Sequence, residues 1–195
     1  MFIRIILFLI LLHELLSANN QKCIVPDIIL ETVKITENET SNPYLIRTNE
    51  DINSFYNIVD KFPRRTTEDK NVIDCLNLQN CVNILNTLIQ NKITNLDLGL
   101  FQINYNSFKY PLNSYFDKDK SYKNVCSIIK EKIKMNKGKW NWTVVASYHS
   151  ITPKYNNIYK KRLIDNYIKL TSNNQIINTH IQTTISHSEN ILVVE

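Results

Sequence analysis

Apolar residues recur every three or four positions in several stretches of this chain, which is the pattern of amphipathic helices. The first stretch begins at Pro26-Asp27 and runs to Glu37. Proline and aspartate both suit the first turn of a helix. We expect the helix to end within residues 38–42, because Pro43 disfavours helical geometry in the residue before it. Glu37 is thereby predicted at the C-terminal end of a helix, beside a loop.

Four later segments show the same periodicity and are also predicted as helices: residues 81–91, 122–135, 142–148 and 157–170. Residues 94–104 differ, because leucines surround Asp97 and Gly99 there. We expect this segment to form a tight, buried turn or a short strand pair near the core. The chain is therefore predicted to be mainly helical.

Two regions lack a helical period. Residues 44–74 are weakly periodic, and the polar run 66–70 predicts a surface loop. From residue 171 onward, Asn, Ser and Thr predominate and the character alternates, so we expect a loose strand or a disordered tail over residues 171–195. A length of 195 residues favours one domain with a single core.

Composition excludes several functions. The chain has 2 glycines, Gly99 and Gly138, so it lacks the clustered glycines of dinucleotide-binding and P-loop sites. Its net charge of +5 is spread along the sequence without basic clusters, so we expect no nucleic-acid partner. A diffuse positive charge is compatible with an anionic polymer as partner.

The N-terminus has the pattern of a secretory signal. Arg4 precedes an apolar run over residues 5–12, and small residues follow at Ser17-Ala18. We predict a signal peptide over residues 1–18 and export to the periplasm. The alternative is an uncleaved anchor in the inner membrane.

Four cysteines follow the signal: Cys23, Cys75, Cys81 and Cys126. An even number in an exported chain favours two disulfides, with three possible pairings. We favour Cys75 with Cys81, which leaves Cys23 with Cys126. The spacing is unlike that of zinc ligands and no histidine lies nearby, so we expect no metal and no other cofactor.

Three motifs occur in order along the chain. They are Thr36-Glu37-Asn38 followed by Asn42-Pro43-Tyr44, then Asp97-Leu98-Gly99-Leu100-Phe101-Gln102-Ile103-Asn104, then Ala146-Ser147-Tyr148-His149-Ser150. Together they resemble the lytic transglycosylases with a goose-lysozyme-like (SLT) domain, in particular the accessory muramidases of conjugation and type IV secretion machines. That family has Glu-Ser, Asn-Pro, Gly-Leu-Met-Gln-Ile-Asn and Ala-x-Tyr-Asn-x-Gly in the same order. The resemblance covers about residues 24–170.

The resemblance implies a compact, mainly α domain of the α+β lysozyme type, with a short buried turn or small sheet at the catalytic cleft. It also implies an activity, the cleavage of the β-1,4 bond between MurNAc and GlcNAc in peptidoglycan. One glutamic acid protonates the leaving oxygen and then takes the proton of the C6 hydroxyl, which gives a 1,6-anhydromuramic end. The implied partners are peptidoglycan glycan strands and an envelope-spanning secretion or conjugation machine.

The match nominates Glu37 as the catalytic acid. Asn38 stands where the family has Ser, and one extra residue before Asn42 makes Glu39 a rival. His149 stands where Asn is common, and Ile151 where Gly is common.

By resemblance, the substrate-binding residues are Phe101, Gln102, Asn104, Tyr148 and His149. Amides such as Gln102 can donate to and accept from sugar hydroxyl and acetamido groups. A structural role is the alternative for each of these residues, and Asn104 in particular is also suited to capping a turn.

Asp97 is the nearest second carboxylate. We expect it to hydrogen-bond the backbone of the turn. A catalytic Asp97 would instead favour a hydrolytic muramidase, since hydrolases place a water and usually a second carboxylate. A third alternative is an inactive peptidoglycan-binding module that keeps the groove but lacks the acid.

Overall fold

The structure is a computed structural model that describes the backbone of residues 23–189 and the side chains of residues 23–172. The predicted signal peptide, residues 1–18, and the last residues of the predicted tail, 190–195, lie outside the described residues. Within the described part of the chain, no helix is long and apolar enough to cross a membrane.

Helices form most of the domain. They are α1 Asp27–Glu37, α2 Ile52–Val59, α3 Leu78–Gln90, α4 Lys118–Met135, α5 Trp142–Ala146 and α6 Pro153–Glu189. Two short 3-10 turns span Gly99–Phe101 and Leu112–Tyr115. The strands are β1 Leu45–Thr48, β2 Arg65–Thr66, β3 Val72–Asp74, β4 Leu96–Leu98 and β5 Ile103–Asn104.

The five strands form one antiparallel sheet in the order β2-β3-β1-β4-β5. The architecture is therefore α+β with a helical majority. Asp97 pairs with Arg47 on one side and with Asn104 on the other. Residues that pair directly have their side chains on the same face, so Asp97 and Asn104 lie side by side. Their neighbours Leu96, Leu98 and Ile103 are buried on the other face.

Asn and Asp side chains provide the helix caps in this glycine-poor chain. Four of them accept a hydrogen bond from the backbone N–H three residues ahead: Asp51, Asn77, Asp117 and Asn141. Each such cap satisfies a donor that the first helical turn leaves free, a contribution of typically about 1 kcal/mol.

Both predicted disulfides are confirmed: Cys23 is bonded to Cys126, and Cys75 to Cys81. The first connects the segment before α1 to the middle of α4. The second connects the residue after β3 to the first turn of α3. All cysteines among the described residues are paired.

The core lies between the sheet and the helices. Its fully buried side chains include Val33 of α1, Phe55 of α2, Leu85 of α3, Ile129 of α4 and Leu163 of α6. Helix α6 packs against both α1 and α5. This packing brings the end of α1 close to the chain after α5.

The predicted end of α1 at Glu37 and the strand pair within residues 94–104 are both confirmed. Helices α3 and α4 begin three to four residues earlier than predicted, since Asn77 and Asp117 cap them. Residues 44–74 hold three strands and α2, which the sequence did not predict. Of the predicted loop 66–70, Thr66 belongs to β2 and the rest leads into β3.

The expectation of a loose strand or disorder from residue 171 is wrong up to the end of α6. That helix begins at Pro153 and continues to Glu189. Neither proline nor glycine occurs after Pro153. The polar residues therefore weaken the helical preference without interrupting the helix.

Candidate functional site

A cavity of about 340 Å³ lies where the end of α1, the exposed face of the sheet and the turn after α5 meet. Polar side chains form most of its wall. The lining residues are Glu37, Asn49, Asn95, Asp97, Gln102, Asn104, Ser107, Phe108, Tyr148 and His149. Five of the six residues predicted for the site thus line one cavity, and Phe101 does not.

Glu37 is the last residue of α1, and its side chain is 12% exposed. The loop after it is held by Asn38, whose Nδ2 donates to the Asn42 carbonyl at 2.8 Å. Asn38 also accepts from the Thr40 hydroxyl at 2.7 Å. Glu39 is exposed and does not line the cavity. The structure therefore brings Glu37, rather than Glu39, to the cavity.

Helix α6 fixes the last turn of α1 from outside the cavity. Arg162 donates from Nη2 to the Thr36 carbonyl at 2.7 Å, and Asn166 donates from Nδ2 to the Thr36 hydroxyl at 3.0 Å. Carbonyls in the last turn of a helix have no partner within the helix, and a cation is favourable there. These two contacts therefore hold the backbone that carries Glu37.

His149 is the residue of the cavity wall that contacts Glu37. Its Nδ1 lies 3.5 Å from Glu37 Oε1. Its ring stacks on Tyr159, with centroids 4.6 Å apart and planes 10° apart. Interaction with the Glu37 carboxylate raises the pKa of His149; partial burial and the Arg162 charge oppose this shift. Glu37 and His149 are thus an acid–base pair at the cavity wall.

Tyr148 is buried, and its hydroxyl donates to the Phe101 carbonyl at 2.7 Å. Burial, and then the negative charges of Glu37 and Asp97, raise the pKa of its phenol well above the usual value. The phenol proton therefore stays in place and holds the 3-10 turn to the turn after α5. Phe101 itself is fully buried and packs edge-to-face on Tyr122 at 4.8 Å. Its side chain supports the turn rather than the cavity surface.

Gln102 combines a structural contact with a place in the cavity wall. It adopts a left-handed conformation, with φ 48° and ψ 47°. Its side-chain Nε2 donates to the Gly99 carbonyl at 2.8 Å, which closes the turn. This contact uses one of the amide's two donor hydrogens.

Gly99 makes the turn possible. Its φ is +70°, and an added Cβ would lie 1.9 Å from the Tyr115 carbonyl oxygen. Only glycine avoids both the strain and the overlap.

Asp97 and Asn104 belong to a hydrogen-bond network on the sheet face. Asp97 accepts from Nδ2 of Asn104 and from Nδ2 of Asn49, both at 2.8 Å. Asn104 also donates to Asn95 and accepts from the backbone N–H of Ser107 at 3.0 Å. Asn104 therefore caps the following turn while it lines the cavity. Asp97 contacts side-chain amides, and the expected hydrogen bond from Asp97 to the backbone of the turn is not what the structure shows.

The sequence did not predict four residues of the cavity wall, Asn49, Asn95, Ser107 and Phe108. Nor did it predict the part played by Tyr159, which stacks on His149. Tyr159 is 2% exposed, and its hydroxyl has no hydrogen-bond partner among the described residues. Burial, and then the nearby Glu37 charge, raise the pKa of its phenol well above the usual value. Its proximity to Glu37 depends on how α6 packs against α1.

This chain matches no known protein family, no curated protein and no solved structure.

A second, larger cavity of about 560 Å³ lies between the end of α4, α5 and the start of α6. Met135, Val144, Ile151 and Pro153 give it a more apolar wall. Among the described residues that line it there is no carboxylate and none of the predicted site residues. Within the described residues, no group of three or more His, Cys, Asp or Glu side chains has a metal-binding arrangement.

Proposed function

We propose that this protein is a lytic transglycosylase that cleaves the β-1,4 bond between MurNAc and GlcNAc in peptidoglycan, with Glu37 as its one catalytic acid. The observation that supports this most is the position of Glu37: a carboxyl 12% exposed, at the end of α1, in the wall of a polar cavity. The motifs that resemble this enzyme family converge on the same cavity.

The chemistry needs an acid and a groove. A glycosidic oxygen is a poor leaving group, so a positioned carboxylic acid has to protonate it as the bond breaks. In this mechanism Glu37 donates that proton. It then accepts the proton of the sugar's C6 hydroxyl as that oxygen bonds to C1, and the product is a 1,6-anhydromuramic end.

The cavity wall offers the hydrogen-bonding groups that a saccharide requires. Gln102, Asn49 and Asn95 present amides, and Ser107 presents a hydroxyl. Amides both donate and accept, which matches the alternating donors and acceptors of acetamido sugars. Phe108 adds an aromatic side chain to this wall.

A hydrolytic muramidase is the second candidate, because Asp97 lines the same cavity. Both of its carboxylate oxygens accept amide hydrogens. In a hydrolase a second carboxylate activates water or stabilises the sugar cation. In the transglycosylase, Asp97 orients Asn49 and Asn104 and takes no part in bond cleavage.

Export is part of the proposal. Two disulfides that use every described cysteine suit an oxidising compartment, and the periplasm contains the proposed substrate. An envelope-spanning secretion or conjugation machine is the proposed user of the gaps that the enzyme would open in the wall.

The test uses purified sacculi and three variants of the mature protein. Glu37→Gln keeps the side-chain shape but cannot deliver a proton, so we expect glycan cleavage to fall at least about a hundredfold, within the range for loss of a general acid. Glu39→Gln is the matched control and should keep wild-type activity. Asp97→Asn should retain measurable cleavage in a transglycosylase.

Three outcomes would contradict the proposal. If Glu39→Gln is inactive and Glu37→Gln is active, the catalytic acid is Glu39 rather than Glu37. An inactive Asp97→Asn with intact folding would favour the hydrolase. Binding of sacculi without cleavage by the wild-type protein would indicate an inactive wall-binding module.

A further inference from the structure

His149 is placed as a partner of the acid rather than as a plain part of the wall. Its Nδ1 faces Glu37 Oε1 at 3.5 Å, which is longer than a good hydrogen bond. Contacts between catalytic groups often tighten only when substrate binds. The imidazole lies parallel to the buried ring of Tyr159, and this packing fixes the plane in which Nδ1 points.

The charged and titratable groups around His149 come from every element packed against it. Glu37 at the end of α1 and Asp97 of β4 favour its protonated form, whereas Arg162 of α6 opposes that form. Tyr148 and Tyr159 have pKa values raised well above the usual value, so both phenols stay neutral. The net shift of the His149 pKa is upward, with the side-chain interaction with Glu37 as its largest cause and burial of the imidazole as its main opposition.

We propose that His149 is a positioning residue that holds the proton used by Glu37, so that imidazole and carboxyl share one proton at neutral pH and Glu37 delivers it to the leaving oxygen. This inference rests on the proposed function, because it assigns the source of the proton in that same reaction. The proton-holding role of His149 is additional to contacting the saccharide or lining the cavity.

The proton balance is closed over one turnover. The imidazolium Nδ1–H passes its proton to the Glu37 carboxylate, and the carboxyl group so formed gives that proton to the glycosidic oxygen, whose bond to C1 breaks with the electron pair on oxygen. The C6 hydroxyl then bonds to C1 through its oxygen and gives its proton to the Glu37 carboxylate. Return of one proton to His149 restores the starting state without an external acid.

The pH dependence of cleavage follows from this arrangement. The shared proton is lost when the pH rises through the raised pKa of His149, so wild-type activity should persist above the ordinary histidine value of about 6.5. Without the imidazole this store of the proton is absent, so cleavage should fall off at a lower pH than in wild type.

The first part of the test is the pH–rate profile of wild type, His149→Asn and His149→Gln on sacculi. We expect both variants to fold. Their basic limb, the fall in cleavage rate on the alkaline side of the profile, should lie at least about one pH unit below that of wild type, which corresponds to a tenfold change in the protonated fraction. A merely structural His149 would change the rate at every pH and leave the limb in place, and that result would overturn the inference.

The second part needs no glycan cleavage. The imidazole of His149 is titrated by NMR in wild type and in Glu37→Gln, and its signal is assigned by its loss in His149→Asn, since the sequence has 4 histidines. We expect a pKa above about 6.5 in wild type and a lower value in Glu37→Gln. An equal pKa in both proteins would refute the pairing.

The two parts separate the inference from the proposed function. Suppose that wild type gives anhydro products, that the His149 variants keep the wild-type basic limb, and that Glu37→Gln keeps the wild-type pKa of His149. The transglycosylase proposal would then stand and the role of His149 would be refuted. A shifted His149 pKa without any glycan cleavage would establish the pair and remove the transglycosylase.

Discussion

Replacement of Gln102 tests whether an amide in the cavity wall contributes to turnover as well as to the turn. Gln102→Ala removes the hydrogen bond from Nε2 to the Gly99 carbonyl. That carbonyl keeps a second donor, because the backbone N–H of Gln102 also reaches it, at 3.2 Å. No buried acceptor is left unpaired, so we expect a loss of about 1 kcal/mol in the free energy of unfolding.

Gln102→Gly is the matched control. It removes the same amide but releases the left-handed strain of a non-glycine residue at φ 48°, which costs roughly 1 kcal/mol or more. We therefore expect Gln102→Gly to be close to wild type in stability, whereas Gln102→Ala should melt about 2–4 °C lower, as roughly 1 kcal/mol gives for a domain of this size. Both should lose cleavage rate alike, because neither can hold a sugar substituent in place.

The assay combines thermal melts with sacculus cleavage rates normalised to folded protein. Misplacement of substrate by about 1 Å can reduce the rate on the order of a hundredfold, which is far more than the predicted stability change would explain. If Gln102→Gly has wild-type specific activity, or if the rate of each variant simply follows its melting temperature, Gln102 serves the turn alone.

Three further predictions concern stability. Gly99→Ala should destabilise the fold by roughly 4 kcal/mol or more, because its Cβ would lie 1.9 Å from the Tyr115 carbonyl oxygen. Urea unfolding measures this loss, and a value under about 1 kcal/mol would contradict the turn geometry. The Cys23–Cys126 disulfide closes a loop of 103 residues, and its loss should cost about 4.7 kcal/mol of unfolding free energy. The Cys75–Cys81 disulfide closes a loop of 6 residues, and its loss should cost about 2 kcal/mol. Urea unfolding of variants with each cysteine pair replaced by serine compares the two, and equal losses would refute the dependence on loop length. Because the pKa of His149 is raised in the folded protein, the protonated imidazole stabilises the fold. This contribution is fully present below the unfolded pKa of about 6.5 and is lost as the pH rises through the folded pKa. His149→Asn should flatten this part of the curve of stability against pH, and an unchanged slope would exclude the contribution.

The end of α1 and the strand pair around Gly99 were predictable, because local chemistry determines both. Pro43 limits the helix, and the glycine at φ +70° requires its turn. The strands within residues 44–74 have two to four residues each, too few for an alternating pattern to show. They are held mainly by pairing with partners distant in sequence, such as Arg47 with Asp97.

The candidate site was predictable only in part for the same reason. Gln102, Asn104, Tyr148 and His149 were identified from motifs, and the structure brings them into one cavity with Glu37. The stack of Tyr159 on His149 depends on the crossing of α6 over α1, which leaves no local signal in the sequence. Hydrogen-bond partners were the least predictable feature, as the side-chain contacts of Asp97 with Asn49 and Asn104 show.

The central claim is that the sugar's own C6 hydroxyl, rather than water, closes the reaction at Glu37. Digestion of sacculi in water enriched in ¹⁸O, followed by mass spectrometry of the fragments, tests it directly. The account predicts 1,6-anhydromuramic ends without ¹⁸O in the wild-type digest and no such ends with Glu37→Gln. Reducing ends that carry ¹⁸O in the wild-type digest would contradict it and identify a hydrolase.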